Sequence, residues 1–165
     1  MIRRKICMLG SYAVGKTSLV SRFVKDIFSE RYQTTIGVRI LKKELSVNER
    51  PHSLLLWDIH GEDEFQQIRS SYLRGSSGYL LVVDGTRAAT LDKAKQIHER
   101  VRGDIGELPF LVLLNKSDLR GEWELSEGID WDLGPKGSFL ATSAKTGEGV
   151  EEAFRRLAER MSADD

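Results

Sequence analysis

The sequence predicts an α/β fold: a six-stranded, mixed but mostly parallel sheet with helices on both faces. Three observations carry this prediction. Short apolar runs alternate along the chain with stretches of helical spacing, the pattern of a doubly wound sheet. Two runs, Tyr79-Leu80-Leu81-Val82-Val83 and Phe110-Leu111-Val112-Leu113-Leu114, are continuously apolar, as strands buried on both faces require. Polar and glycine-containing segments follow these runs, and such sheets bind ligands outside the carboxyl ends of their strands.

The elements follow in order. Lys5 to Leu9 is a short strand ending at Gly10. From Lys16, the positions Leu19, Val20, Phe23 and Val24 recur at helical spacing. Val38, Ile40, Leu45 and Val47 mark a strand with a polar face, and Leu54 to Trp57 marks a second. A polar turn over Asn48 to Pro51 joins them as a hairpin. Between the two buried runs, Leu91, Ala94, Ile97, His98, Val101 and Ile105 keep helical spacing. Trp123, Leu125, Ile129 and Trp131 suggest one short helix in the least regular stretch, 121–137. Ser138 to Thr142 is the last strand, and Val150, Ala153, Phe154, Leu157, Ala158 and Met161 form the apolar stripe of a final helix.

At 165 residues the chain suggests one domain, spanning 1–165, with enough length to bury a core. Lys plus Arg and Asp plus Glu both total 25, so the formal net charge is zero. That argues against a general nucleic-acid or membrane-surface binder, which needs a basic excess. Cys7 alone cannot form an internal disulfide and fits a reducing compartment, and its apolar setting suggests a buried, inert thiol. No signal peptide pattern, apolar span of membrane length or prenylation cysteine is seen. The expectation is a cytoplasmic protein with no direct membrane anchor in this sequence.

Gly10-Ser11-Tyr12-Ala13-Val14-Gly15-Lys16-Thr17 fits G-x-x-x-x-G-K-[ST] between a strand and a helix. Glycines let successive N–H groups turn inward, and the helix start adds its positive dipole end. Lys16 supplies a point charge for phosphates. Thr17 offers a hydroxyl to Mg2+, a hard cation that prefers oxygen. Alone, this motif indicates a phosphate-binding loop for a nucleotide and does not choose the base.

Asn115-Lys116-Ser117-Asp118 fits N-K-x-D directly after a buried strand. The two oxygens of Asp118 match the adjacent N1–H and 2-amino donors of guanine. Adenine has an acceptor at N1 and no 2-amino group, so it would leave a carboxylate unpaired. Asn115 is suited either to bonding the base or to tying loops together, and the Lys116 stem to lying against the ring. Ser143-Ala144-Lys145 follows the last strand, where a backbone N–H can donate to guanine O6.

These residues resemble the Ras superfamily of small GTPases, and most of all its Rab branch. The resemblance runs through GSYAVGKTSLV at 10–20, YQTTIGVRI at 32–40, WDIHGEDEF at 57–65, SSYLRGSSGYLLVVDGT at 70–86, NKSD at 115–118 and TSAK at 142–145. It implies a P-loop small G-domain that binds GTP or GDP with Mg2+ and hydrolyses GTP. By position, Gly10, Ala13, Val14, Gly15, Lys16, Thr17 and Ser18 would hold the phosphates. Asn115, Lys116, Asp118, Ser143, Ala144 and Lys145 would hold the base. Thr35 would join Thr17 around Mg2+, Asp58 would hold the ion through water, and Gly61 would bond the γ-phosphate. Phe28 would lie across the guanine unless it is a core residue, and Tyr32 would close over the phosphates unless it is simply a surface one. Lys16, Thr35, Gly61 and Glu62 would act in hydrolysis.

Three positions depart from the family pattern, all around the γ-phosphate. Tyr12 stands where a small residue is usual and would crowd an incoming arginine finger. Glu62 replaces the glutamine that orients the attacking water, lacks an amide donor and adds negative charge. His60 replaces a small residue before Gly61, and a tolerated loop side chain is favoured there over a catalytic one. The expectation is slow intrinsic hydrolysis, with a nucleotide-dependent scaffold of negligible turnover as the alternative. The resemblance further implies a monomer. Effectors, exchange factors and GTPase-activating proteins would read switch I at about 28–40 and switch II at about 58–74.

Overall fold

A computed structural model describes residues 1–26, 37–59 and 68–163. Six strands form one sheet: β1 (Ile2–Gly10), β2 (Val38–Val47), β3 (Arg50–Ile59), β4 (Gly78–Asp84), β5 (Phe110–Asn115) and β6 (Gly137–Ala141). Their order across the sheet is β2-β3-β1-β4-β5-β6. Among the described residues, only the β2–β3 pair is antiparallel. The helices are α1 (Lys16–Lys25), α2 (Ser70–Leu73), α3 (Ala89–Ile105) and α4 (Val150–Ser162), with a 3-10 helix over Ser117–Glu122. This is the mixed, mostly parallel α/β sheet that the sequence predicts.

Strand alternation explains why both faces need helices. In β1, Ile6 and Met8 enter one core while Cys7 and Leu9 enter the other. In β4, Leu80 and Val82 oppose Tyr79, Leu81 and Val83, and β5 divides in the same way. α1 and α4 cover the first face, where the Phe23 and Phe154 rings stack with centroids 4.1 Å apart. α3 covers the second, where Tyr79 stacks on Phe110 at 5.2 Å. The loops after β1, β4, β5 and β6 emerge at the same end of the sheet.

The hairpin is tighter than the expected turn over Asn48 to Pro51. Val47 pairs with Arg50, and only Asn48 and Glu49 lie between them, with φ of 51° and 65°. Two left-handed residues match a hairpin's right-handed twist. Val38 and Ile40 point to the face opposite Leu45 and Val47, and Ile40 is exposed.

No helix forms over Trp123 to Trp131, contrary to the sequence expectation. Its apolar residues serve separate contacts. The Trp123 ring lies against Gly85, while Leu125, Trp131 and Leu133 pack on the α3 face. Gly128 and Gly134 take positive φ and interrupt any helical run. Among the described residues, no helix is long and apolar enough to cross a membrane.

Candidate functional site

Five segments converge at the carboxyl ends of the parallel strands: the loop after β1, the end of β3, and the loops after β4, β5 and β6. The first holds the G-x-x-x-x-G-K-T motif. At Gly10, φ is 150° and an added Cβ would sit 2.6 Å from Val82 O. At Gly15, φ is 105° and a Cβ would sit 2.4 Å from Asn115 Nδ2. Both approaches exclude a side chain, so these glycines fit the loop against its neighbours.

Lys16 opens α1 and is buried. Its Nζ donates to Gly10 O at 3.1 Å and Ser11 O at 2.9 Å. An ammonium has three protons, so the lysine holds its own loop closed while keeping further donor capacity. Burial lowers its pKa to about 8; Asp58 opposes that shift and Arg87 adds to it. A buried cation of this kind gains from an anionic ligand.

Thr17 Oγ1 donates to Asp58 Oδ2 at 2.8 Å. Asp58 lies near the end of β3 and is fully buried. A hydroxyl and a carboxylate this close offer hard oxygens to a cation that keeps several waters of its own, which fits Mg2+. Among the described residues, no group of three or more His, Cys, Asp or Glu side chains could hold a metal. A metal there would rely on few protein oxygens. Arg39, directly across the ladder from Asp58, places its guanidinium 3.6 Å from Oδ2.

Asn115 ends β5 and is buried. Its Nδ2 donates to Val14 O at 2.9 Å and its Oδ1 accepts from Thr142 Oγ1 at 3.1 Å. Of the two uses open to it, this side chain ties loops together. Asp118 is exposed and its Oδ1 accepts from Ser143 Oγ at 2.7 Å. The Ser143 amide donates to Glu148 O at 2.9 Å, so it is already committed. Arg22 of α1 donates to Ala144 O and Lys145 O, bracing the loop after β6.

A polar hub that sequence reasoning missed lies between these loops. Asp84 ends the apolar strand β4 and is buried. Its Oδ1 accepts from the Thr86 amide at 2.9 Å and hydroxyl at 2.7 Å. Its Oδ2 accepts from Arg87 Nε at 3.0 Å and Lys116 Nζ at 2.8 Å. Burial alone would raise the Asp84 pKa, but the hydrogen bonds from Lys116, Thr86 and Arg87 outweigh it and hold the carboxyl below its ordinary value. Arg87 also donates to Tyr12 O at 2.9 Å. One carboxylate thus joins the loop after β1 to the loop after β5. Trp123 completes the seam by donating Nε1 to Lys116 O at 2.8 Å. A signal existed: a carboxylate closing a strand buried on both faces needs cationic or hydrogen-bonding partners.

The structure thus brings Gly10, Ala13, Val14, Gly15, Lys16, Thr17, Ser18, Asp58, Asn115, Lys116, Asp118, Ser143, Ala144 and Lys145 to one end of the sheet. Phe28, Tyr32, Thr35, His60, Gly61 and Glu62 lie outside the described residues. Tyr12, within the loop after β1, is exposed, with 45% of its surface facing solvent. A Ras family model matches residues 5–163. With nearly the whole chain inside that match, the protein belongs to the Ras family, whose G-domains bind guanine nucleotide.

Proposed function

We propose that the protein is a guanine-nucleotide-dependent switch of Rab-like character that binds GTP or GDP with Mg2+ and hydrolyses GTP slowly without a partner. The observation that carries this reading is the pair of hydrogen bonds of Asn115, which donates to Val14 O and accepts from Thr142 Oγ1. It fixes the phosphate loop, the N-K-x-D segment and the loop after β6 relative to one another, so phosphate and base are read by one rigid unit. Asp118 then presents its carboxylate to the guanine edge. With the Ser143 amide committed, the O6 donor falls to the amides of Ala144 or Lys145. Lys116, held by Asp84, keeps its stem along the pocket.

Lys16 neutralises phosphate charge from a buried position, where the interaction is screened least. Thr17, Thr35 and Asp58 would hold Mg2+, which offsets charge on the phosphates. Phe28 and Tyr32 cover the base and phosphates, and Ser18 adds a donor near them. Thr35 and Gly61 sense the γ-phosphate, so hydrolysis releases both switch segments to partner proteins. Glu62 accepts a hydrogen bond from the attacking water. The domain spans 1–165 and acts as a cytoplasmic monomer whose effectors and regulators read about 28–40 and 58–74.

Competition between GDP and ATP for the purified chain tests this. GDP should displace a fluorescent guanine nucleotide at concentrations at least about a thousandfold below ATP, because a site built to pair a base edge rejects one lacking the match by roughly 10⁴ or more. Equal competition by ATP would refute the base assignment. Turnover of GTP measured beside it separates an enzyme from a scaffold.

A further inference from the structure

The turn that carries Asp118 has no core of its own. It is the 3-10 helix Ser117–Glu122, none of whose residues is buried, and Leu119 inside it departs from helical φ/ψ. Lys116, just ahead of it, sits in the left-handed region at φ 70°. Segments with few buried apolar contacts open locally at low cost, so this turn depends on what holds its two ends. At its start, the Ser117 amide donates to Thr142 O at 3.0 Å. The Lys116 carbonyl accepts from the Leu119 amide at 2.9 Å and from Trp123 Nε1 at 2.8 Å. Trp123 caps the other end and is half-buried. Its ring lies on Gly85, where an added Cβ would sit 2.2 Å from Cε2, and Arg120 Cζ lies 5.0 Å from its centroid. The next residue, Glu124, donates its amide to Gly85 O at 2.9 Å and accepts the Ala88 amide at 2.7 Å. One side chain therefore joins the end of the turn to its start, and both to the loop after β4.

We infer that Trp123 is a positioning residue for base recognition: its indole pins the exposed turn so that both oxygens of Asp118 meet the guanine edge together. The inference rests on the guanine-nucleotide reading above. Asp118 Oδ1 already accepts from Ser143 Oγ at 2.7 Å, and a carboxylate oxygen has room for a second donor. That bond holds the side chain at its tip, while the bond from Trp123 to Lys116 O steadies the backbone from which it springs. Without the indole, the Lys116 carbonyl keeps the Leu119 amide, so the turn loosens rather than unfolds. Pairing with two adjacent donors requires both the position and the plane of the carboxylate to be set. A single donor can be met over a wider range of positions. A loosened turn therefore weakens a ligand in proportion to the donors it offers. Guanine offers N1–H and the 2-amino group, whereas hypoxanthine offers N1–H alone. The phosphate loop keeps its own anchors at Lys16 and Asn115.

The test is competition of GDP and of inosine diphosphate, which lacks the 2-amino group, against a fluorescent GDP analogue on the full chain. It compares wild type, Trp123→Phe and Gly85→Ala, with Mg2+ constant throughout. Trp123→Phe keeps a ring on Gly85 and removes the N–H. Gly85→Ala leaves Trp123 intact and displaces its ring; Gly85 does not occupy the left-handed region, so the change adds crowding there without backbone strain. One hydrogen bond of ordinary strength corresponds to about two- to tenfold in affinity. With two bonds weakened for GDP and one for inosine diphosphate, each variant should bind GDP about tenfold and inosine diphosphate about threefold more weakly. The preference for GDP should then fall about threefold. General destabilisation would weaken both ligands by the same factor, and a cycle of side chain against ligand group isolates the difference. Gly85→Ala carries the test should Trp123→Phe fail to fold. A preference that stays within about 1.5-fold of wild type in the folded variants overturns the inference while leaving the guanine reading intact. Equal binding of the two nucleotides by wild type overturns the Asp118 pairing, and the inference with it.

Discussion

Asp84→Asn separates a structural hub from one that serves nucleotide binding. The carboxylate is 1% exposed and accepts four hydrogen bonds, two from Thr86 and one each from Arg87 and Lys116. An asparagine oxygen can keep the Thr86 pair. Its Nδ2 would then face two cations and find no acceptor. Buried bonds to charged groups contribute about 1.5–3 kcal/mol each. Arg87 and Lys116 are 45% and 34% exposed, so solvent screening reduces each loss to roughly 1 kcal/mol. The stranded amide adds about 1 kcal/mol. The sum is a destabilisation of about 2–3 kcal/mol, or about 5–10 °C in a thermal melt of a domain this size. The pH dependence has a definite sign. Because the folded Asp84 pKa is lowered, the unfolded chain binds the proton first as pH falls. The stabilisation is present above the ordinary carboxylate range and is lost as pH drops through the folded value. Urea melts between about pH 2.5 and 6 should therefore show a shallower acid limb in Asp84→Asn. GDP affinity should fall about tenfold in parallel, since Lys116 and the Tyr12 carbonyl lose their shared anchor. A stability change under about 0.5 kcal/mol would refute the hub. Lost stability with intact affinity would confine it to folding.

The other expectations follow from the same site and core. Asp118→Asn swaps an acceptor for a donor and should lower GDP affinity by at least about a hundredfold while raising preference for xanthosine diphosphate, measured by competition. Glu62→Gln and Tyr12→Gly should each raise hydrolysis or its response to an arginine-bearing activator, since such a finger is worth about 10³–10⁵ in rate; single-turnover rates identical to wild type would remove both residues from the argument. His98, packed against Phe110 and bonded through Nδ1 to the Tyr79 hydroxyl at 2.8 Å, has its pKa lowered by burial, with Glu99 opposing and Arg102 adding. The unfolded chain then takes up a proton first below about pH 6.5, so stability should fall as pH drops through that window. His98→Gln should flatten that slope in chemical denaturation, and an unchanged slope would refute the assignment.

The strand and helix order was legible because each buried strand had to be apolar on both sides. Leu80 and Val82 serve one core, and Tyr79, Leu81 and Val83 the other, so an unbroken apolar run located β4. The phosphate and base motifs were legible because their chemistry demands particular residues at fixed spacing, as Gly15 shows through the Asn115 side chain packed where a Cβ would be. The segment from Trp123 to Trp131 was not legible, because its apolar residues answer to unrelated tertiary partners rather than to one helical face. Trp123 serves Gly85 and Lys116, and Trp131 serves His98 and Phe139. Asp84 and Arg39 were equally hidden, since the partner that gives each its meaning lies on another strand or loop.

That difference bears on how such a switch is specialised. On the proposed reading, Lys16 and Asp118 face ligand chemistry, while Asn115 holds the loops that carry them. Arg39, Asp84, Arg87 and Arg22 face the protein, and each touches a group beside that site: Asp58, Lys116, the Tyr12 carbonyl and the loop after β6. A change in this outer set should alter how tightly nucleotide is held without altering which nucleotide is chosen. The two sets can be separated experimentally, because substitution in the first should change base or phosphate discrimination, while substitution in the second should change midpoints and stability at constant discrimination. Arg22→Ala is the simplest discriminator: it removes the brace on Ala144 O and Lys145 O and should weaken GDP and GTP by the same factor. A selective loss of one nucleotide would show that the outer set also reads the γ-phosphate.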